Sequence, residues 1–322
     1  MGAPVVNTKD KIATRTAYGE TLAKLGAERS DIVVLDADLA CSTMTQYFAK
    51  QFPERFFNMG IAEQNLVDTA CGFALAGKVP FASSFAMFAT GKAWEMVRNS
   101  VGHMNLNVKI AATHAGITLG EDGATHQILE DLAITRVIPY MTVLVPADAP
   151  ETEAIIRAAA EHNGPVYIRL GRPAVPVLPR GEKGVEFKIG RAEVLCEGTD
   201  VAIVACGVMV YQAILAAQEL EAEGISATVV NMSSIKPLDK ETLLRVAKAT
   251  GAVVTAEEHN VIGGLGGAVA EVLGEEYPVP MVRVGLQAVY GESGTADALM
   301  KKYGLLASDV ARAAKSAIAK KR

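Results

Sequence analysis

The sequence predicts an α/β protein made of two three-layer α/β domains, each built on a mostly parallel sheet. Three observations carry this reading. Short continuous apolar runs alternate with stretches of helical spacing almost throughout, the mark of βα units whose strands are covered on both faces. A Pro- and Gly-rich span from Arg172 to Gly184 interrupts that alternation once, and proline spacing of this kind reads as extended linker. The chain has 322 residues, half of them hydrophobic, which suits two sizeable cores. We expect a first domain over residues 1–172, a linker over 173–189 and a smaller second domain over 190–322.

The elements follow in order. Lys9 to Ala27 has helical spacing, with Asn7 or Thr8 as cap. Ile32 to Leu35 is a buried strand running into Asp36-Ala37-Asp38. Arg55 to Asn58 is a short strand, and Ile61 to Ala76 a helix entered through Gly60. Val79 to Ser83 is a strand, followed by a helix from Phe88 to His103. Val108 to Thr113 is a strand, and His114 to Thr125 a long Gly-rich loop. Met141 to Val145 is a strand, Ala149 to Glu161 a helix and Val166 to Arg169 a strand. The second domain places strands near 191–196, 201–206, 226–231, 252–256 and 280–284. Val201 to Gln218 runs 18 residues without a charge, but Gly207 divides it into strand and helix, so it is no membrane span. Gly263-Gly264-Leu265-Gly266-Gly267 lacks the register of a dinucleotide fingerprint and reads as a tight turn into a helix.

Composition excludes several functions. A net charge of −5 leaves no basic footprint for nucleic acid. Lys320-Lys321-Arg322 reads as a solvated helix end. Cys41, Cys71, Cys196 and Cys206 form no CxxC pair and read as buried free thiols of a reducing compartment. The first residues have neither a signal-peptide pattern nor a myristoylation site. A cytoplasmic protein without nucleic-acid or membrane partners is expected.

Candidate chemistry clusters in the first domain. Glu63 opens a helix, where an acid also simply complements the helix dipole. Phe85, Met87 and Phe88 straddle the end of the next strand, where core packing is the plain alternative. Together they lie at the carboxyl ends of adjacent parallel strands, where α/β sheets bind ligands. Gly120-Glu121-Asp122-Gly123-Ala124-Thr125-His126-Gln127 adds a carboxylate and an imidazole. His114 and His126 stand twelve apart on one loop, looser than usual metal-site spacing and without a third ligand nearby. Arg15, Arg169 and Arg172 supply forks suited to phosphate.

In this order, Phe57-Asn58-Met59-Gly60-Ile61-Ala62-Glu63-Gln64, Ser84-Phe85-Ala86-Met87-Phe88 and the Gly120–Gln127 run resemble the pyrimidine-binding half of transketolase. The likeness extends from about Thr14 into the second domain. It implies a thiamine-diphosphate pyrimidine-binding domain followed by a transketolase C-terminal-like domain. It also implies that Glu63 shares a proton with the pyrimidine ring nitrogen, favouring the imino tautomer that takes the thiazolium proton. A Glu suits that role because burial against rings can raise its proton affinity. By the same resemblance Phe85 and Phe88 pack on the aminopyrimidine and Asp38 lies near the cofactor. Asp122 accepts from sugar hydroxyls, and His126 binds a substrate hydroxyl and moves protons. His114 lies near the substrate phosphate, while Arg15, Ser42 and Arg172 hold it, with Arg169 a rival. The catalytic pair is Glu63 and His126. Glu257-Glu258-His259 falls in the second domain, which the resemblance makes structural and interfacial, so it stays outside the site.

There are two departures. The third aromatic that transketolases often carry is Gly91 here. No Gly-Asp-Gly occurs, so the Mg2+ (or Ca2+) that holds the diphosphate, through the oxygen ligands such ions prefer, is expected on a partner, with no metal in this chain. The chain therefore resembles the C-terminal half of a split transketolase. It should pair with an N-terminal subunit carrying the diphosphate-binding domain, and with a second copy of itself, in a heterotetramer. Its expected reaction moves a two-carbon ketol unit between sugar phosphates of the pentose phosphate pathway. A 1-deoxyxylulose-5-phosphate synthase-like chain, a 2-oxo acid dehydrogenase beta-like chain and a non-catalytic scaffold are the alternatives.

Overall fold

The computed structural model describes residues 4–6, 9–180 and 184–321. Among the described residues fourteen strands are formed: β1 (Lys11–Ala13), β2 (Ile32–Asp36), β3 (Phe56–Asn58), β4 (Val79–Phe85), β5 (Lys109–Thr113), β6 (Thr142–Leu144), β7 (Val166–Arg169), β8 (Ala174–Pro176), β9 (Glu193–Cys196), β10 (Val201–Ala205), β11 (Ala227–Asn231), β12 (Ser234–Lys236), β13 (Val253–Asn260) and β14 (Met281–Leu286). The first sheet has the order β12-β6-β7-β5-β4-β2-β3, parallel except for β12. The second has the order β14-β13-β10-β11-β9, with β9 antiparallel at its edge.

Strand periodicity builds the layers. Ile32 and Val34 of β2 face one core with the Thr14–Glu28 and Ala149–Glu161 helices. Val33 and Leu35 face the opposite core, with the Glu63–Leu75 helix and the Val97–His103 turns. This alternation is the period of two that a strand imposes. The second sheet is covered by Met209–Ala222 and Ala307–Ile318 on one face and by Lys240–Thr250 and Leu265–Glu276 on the other. The core on that second face runs without a break into the first domain.

Several expectations change. The first helix begins at Thr14, because residues 11–13 pair with β8 instead. Its expected caps, Asn7 and Thr8, lie outside the described residues; Ala13 stands at the N-cap and makes no side-chain hydrogen bond there. The Pro-rich stretch is partly structured: β8 lies on β1, with Pro176 at the edge of a two-stranded ribbon where a missing N–H is tolerated. Asp148 then straps the chain down, accepting from Leu178 N at 2.8 Å and Arg180 Nη1 at 2.5 Å. The Phe88–His103 helix is replaced by wide i→i+5 turns, Met87–Lys92 and Val97–His103, around a single α-turn. A helix over Asp131–Arg136 and strand β12 have no counterpart in the sequence reading. β12 comes from the second domain and closes an edge of the first sheet. Cys71, Cys196 and Cys206 are buried free thiols, but Cys41 is exposed because it sits on a short surface helix over Ala40–Thr43. Lys320 and Lys321 lie beyond the last helix, which ends at Ile318, and Arg322 lies outside the described residues.

Candidate active site

The first sheet reverses direction at β2: the chain goes outward to β3, then crosses back to β4. A crevice outside the carboxyl ends of the strands is expected at such a reversal. Every candidate residue except those in the helix over Thr14–Glu28 leaves the sheet at that edge. Asp38 follows β2, Glu63 follows β3, Phe85 ends β4, His114 follows β5 and Arg172 follows β7.

Glu63 is the first residue of its helix and only 2% exposed. Lys92 donates to its Oε2, while Oε1 makes no hydrogen bond among the described residues. Lys92 is 43% exposed at its side chain and ends the wide turn that begins just after Phe85.

Four rings stand next to one another. Phe85 stacks on Phe88 (centroids 6.1 Å, planes 11°) and, more closely, on His114 (3.8 Å, 21°). His126 meets Phe88 edge-on at 5.4 Å and Phe85 at 6.5 Å. Phe85 is thus sandwiched and buried, and half-buried Phe88 is the more open of the two phenyl rings. The place of the missing aromatic is filled from below: a Cβ on Gly91 would meet Met87 Cε at 3.2 Å.

Each histidine has its Nδ1 tied to the preceding threonine, His114 to Thr113 Oγ1 at 2.8 Å and His126 to Thr125 Oγ1 at 2.9 Å. Each therefore leaves Nε2 without a hydrogen bond among the described residues. His114 is held at a left-handed φ of +60°, a conformation that costs energy and tends to mark functional positions. Burial, followed by the charges of Arg15 and Arg172, lowers its pKa to about 3, so its imidazole is neutral at physiological pH.

The two arginines converge. Arg15 donates to the carbonyls of Ser42 (2.7 Å) and Arg172 (3.2 Å), and Arg172 to the Leu119 carbonyl (2.6 Å) and Glu121 (2.9 Å). Arg15 loses proton affinity through burial and through the Arg172 charge. Two guanidiniums beside a neutral imidazole form an anion-attracting corner. Ser42 joins it through its carbonyl. Asp122 is exposed at the loop tip and makes no hydrogen bond among the described residues. Asp38 is exposed, at φ +64°, and accepts from Asn58 at 2.9 Å. Among the described residues no three His, Cys, Asp or Glu side chains converge as a metal site.

The second domain contacts this region through Glu258. Glu258, at the end of β13, accepts from Thr118 N at 3.1 Å and Thr118 Oγ1 at 2.7 Å, pinning the 114–127 loop. Arg169 braces Glu258 (Nη1, 3.4 Å) and Asp131 (Nε, 2.8 Å), and is 4% exposed. Its guanidinium is thus engaged by two buried carboxylates. Gln127 Nε2 reaches the Glu292 carbonyl at 3.0 Å, so the loop is held at both ends. The glycine run does open a helix, Leu265–Glu276, whose first amides are taken by Glu257 at 2.7 Å each.

Lys92 escaped the sequence reading, which named Glu257-Glu258-His259 but set that run outside the site as structural and interfacial. Lys92 had a signal, a lone cation inside the apolar segment Phe85 to Trp94. The partner of Glu258 had none, since Thr118 lies 140 residues away.

Residues 10–177 match the family "Transketolase, pyrimidine binding domain" and residues 190–310 match "Transketolase, C-terminal domain". The chain is 50% identical to a putative transketolase C-terminal section of Methanocaldococcus jannaschii, covering 92% of this chain and 94% of that one. It is 45% identical to a 6-deoxy-6-sulfo-D-fructose transketolase subunit of a Clostridium species, covering 93% and 92%. A solved structure titled "Split gene transketolase, inactive beta4 tetramer" superposes with a TM-score of 0.90 at 60% identity, covering 97% of this chain and 100% of that one. No helix among the described residues is long and apolar enough to cross a membrane.

Proposed function

This chain belongs to the transketolase family, and on that premise we propose that it is the pyrimidine-binding subunit of a thiamine-diphosphate-dependent transketolase acting on sugar phosphates. The observation that carries this reading is a juxtaposition at one sheet edge. A buried carboxylate with a free oxygen (Glu63), an open phenyl face (Phe88) and a cationic corner (Arg15, Arg172) are served by the same crevice.

The chain's own residues suit the group that the family implies. Glu63 is a buried residue whose Oε1 makes no hydrogen bond among the described residues, which leaves that oxygen open to a ring nitrogen. Phe88, backed by Phe85, offers the ring a flat apolar wall. Bound thiamine diphosphate supplies the carbon nucleophile that breaks and re-forms the ketol bond. Arg15 and Arg172 hold the substrate phosphate by charge-assisted bonds. Neutral His114 donates or accepts one hydrogen bond through Nε2 without carrying a charge into the site. His126, with Nε2 free, binds a substrate hydroxyl and moves its proton. Asp122 at the exposed tip accepts from the sugar's hydroxyls, and Asp38 borders the cofactor side.

An N-terminal partner subunit carries the diphosphate domain and its Mg2+, in a heterotetramer within the cytoplasm. Support comes from two relatives: one is named a C-terminal section, and the other is described as split-gene and inactive as a beta4 tetramer. The domain division at 173–189 belongs to the same reading. The test mixes the chain with that partner, thiamine diphosphate and Mg2+, then screens donors. Turnover of pentose and hexose ketose phosphates supports a pentose phosphate role. Turnover of a modified sugar such as 6-deoxy-6-sulfofructose redirects the substrate, as the Clostridium relative's name suggests. Pyruvate as donor moves the assignment to a synthase-type or 2-oxo acid reaction. Turnover by the single chain refutes the split-subunit reading.

A further inference from the structure

The proposed chemistry asks Glu63 to hold a proton at one oxygen and to tolerate its loss. We infer that Lys92 is the positioning residue for this step: its ammonium anchors Oε2, aims Oε1 at the cofactor's ring nitrogen and supplies the counter-charge when the proton leaves. The inference rests on the thiamine-diphosphate reading of the site.

Three observations support it. Lys92 and Glu63 lie on different elements 29 residues apart, and Lys92 donates to Oε2 only. A carboxylate with one oxygen anchored presents the other in a fixed direction, and the anchored one here belongs to a residue 2% exposed. Second, a buried carboxylate is expensive without a partner, and no other cation is within ion-pair distance of Glu63 among the described residues. Third, Lys92 shares the wide turn Met87–Lys92 with Phe88. Wall and counter-ion therefore sit on one rigid piece of backbone, with Ala93 N bonded to the Phe88 carbonyl at 3.2 Å. Wide turns of this kind often occur at functional sites.

The role differs from packing. Lys92 is an open side chain, 43% exposed, so truncating it removes charge and little buried area. The hydrogen bond from Glu63 to the ring survives without Lys92. What is lost is stabilisation of the charged pair formed when the proton sits on the ring, an effect confined to the activated state.

The test compares wild type, Lys92→Met and Lys92→Arg in the complex with the partner subunit. Thiamine-diphosphate affinity is measured by calorimetry, and kcat and sugar-phosphate KM by steady-state kinetics. We expect Lys92→Met to bind the cofactor within about threefold of wild type, to keep its KM and to lose about tenfold or more in kcat. Lys92→Arg should recover most of that loss. Unchanged kcat in Lys92→Met overturns the inference. So does a fall in kcat matched by a fall in cofactor affinity, or failure of arginine to rescue. A wild-type complex that does not bind thiamine diphosphate overturns the underlying reading as well, which separates the two failures.

Discussion

Glu63 and Glu258 are both buried carboxylates held by a cation, but their surroundings differ. The partner of Glu63 is a single half-exposed lysine, and one of its oxygens is free. Glu258 sits in the seam between the domains, where Thr118 and Arg169 claim both oxygens and Asp131 and Tyr167 complete the network. Burial pushes the Glu258 carboxyl above its usual range and Arg169 opposes this. The first arrangement leaves a site able to accept a ligand. The second leaves nothing to exchange and instead fixes the loop that bears Asp122 and His126. The second domain thus has a part in the proposed site: it holds the loop that bears Asp122 and His126.

The largest effect should come from breaking the seam. Arg169→Met strips the charge from between Asp131 and Glu258, and loss of a buried partner costs about 3–5 kcal/mol. Urea unfolding measures it; a change below about 1 kcal/mol would make the two carboxylates equivalent and end the comparison. Gly116→Ala attacks the same clamp from the loop side. Gly116 lies at φ +84°, and an added Cβ would come within 2.4 Å of the Glu258 carboxylate. A loss of about 2–3 kcal/mol is expected, with faster hydrogen exchange across residues 114–127.

His114 gives a pH-dependent test at the boundary of the two regions. Its folded pKa, about 3, lies below that of the unfolded chain, about 6.5. The unfolded state therefore binds more protons between those values. Stability from this group is complete above about pH 6.5 and declines as pH falls toward 3. His114→Gln should flatten the acid side of the stability profile by about 2 kcal/mol at pH 4.5 relative to pH 7. An unchanged acid limb means that the imidazole is solvated and the cationic corner is not where it is described. The smallest effect belongs to Lys92→Met: the lysine is itself 43% exposed and its charge is screened by solvent, so a loss of about 1 kcal/mol or less is the expectation. A loss as large as that of Arg169→Met would mean that Lys92 serves the fold rather than the site.

The same contrast explains what the sequence made legible. Glu63, Phe85 and Phe88 follow local strand–turn–helix patterns, so their arrival at one sheet edge follows from the topology of a parallel sheet. The cationic corner was visible as residue types, yet the choice between Arg169 and Arg172 was not. They stand three positions apart, and what distinguishes Arg169 is its pair of buried partners, Asp131 and Glu258. The Glu257–His259 run was read as interfacial, but its partners and β12 escaped because they act across the domain boundary, where periodicity carries no information. The wide turns after β4 escaped because their spacing differs from helical periodicity by about one residue per turn, although that irregularity is what presents Phe88 and Lys92 together.

The central claim is that the Glu63 side chain exchanges a proton with the pyrimidine of a bound cofactor. The most direct measurement is turnover of Glu63→Gln in the complex with the diphosphate-domain partner, at saturating thiamine diphosphate. Glutamine keeps the size and a hydrogen bond but cannot hold an exchangeable acid proton, so kcat should fall by about a hundredfold or more while the protein stays folded. A Glu63→Gln complex that turns over ketose phosphates at the wild-type rate contradicts the account.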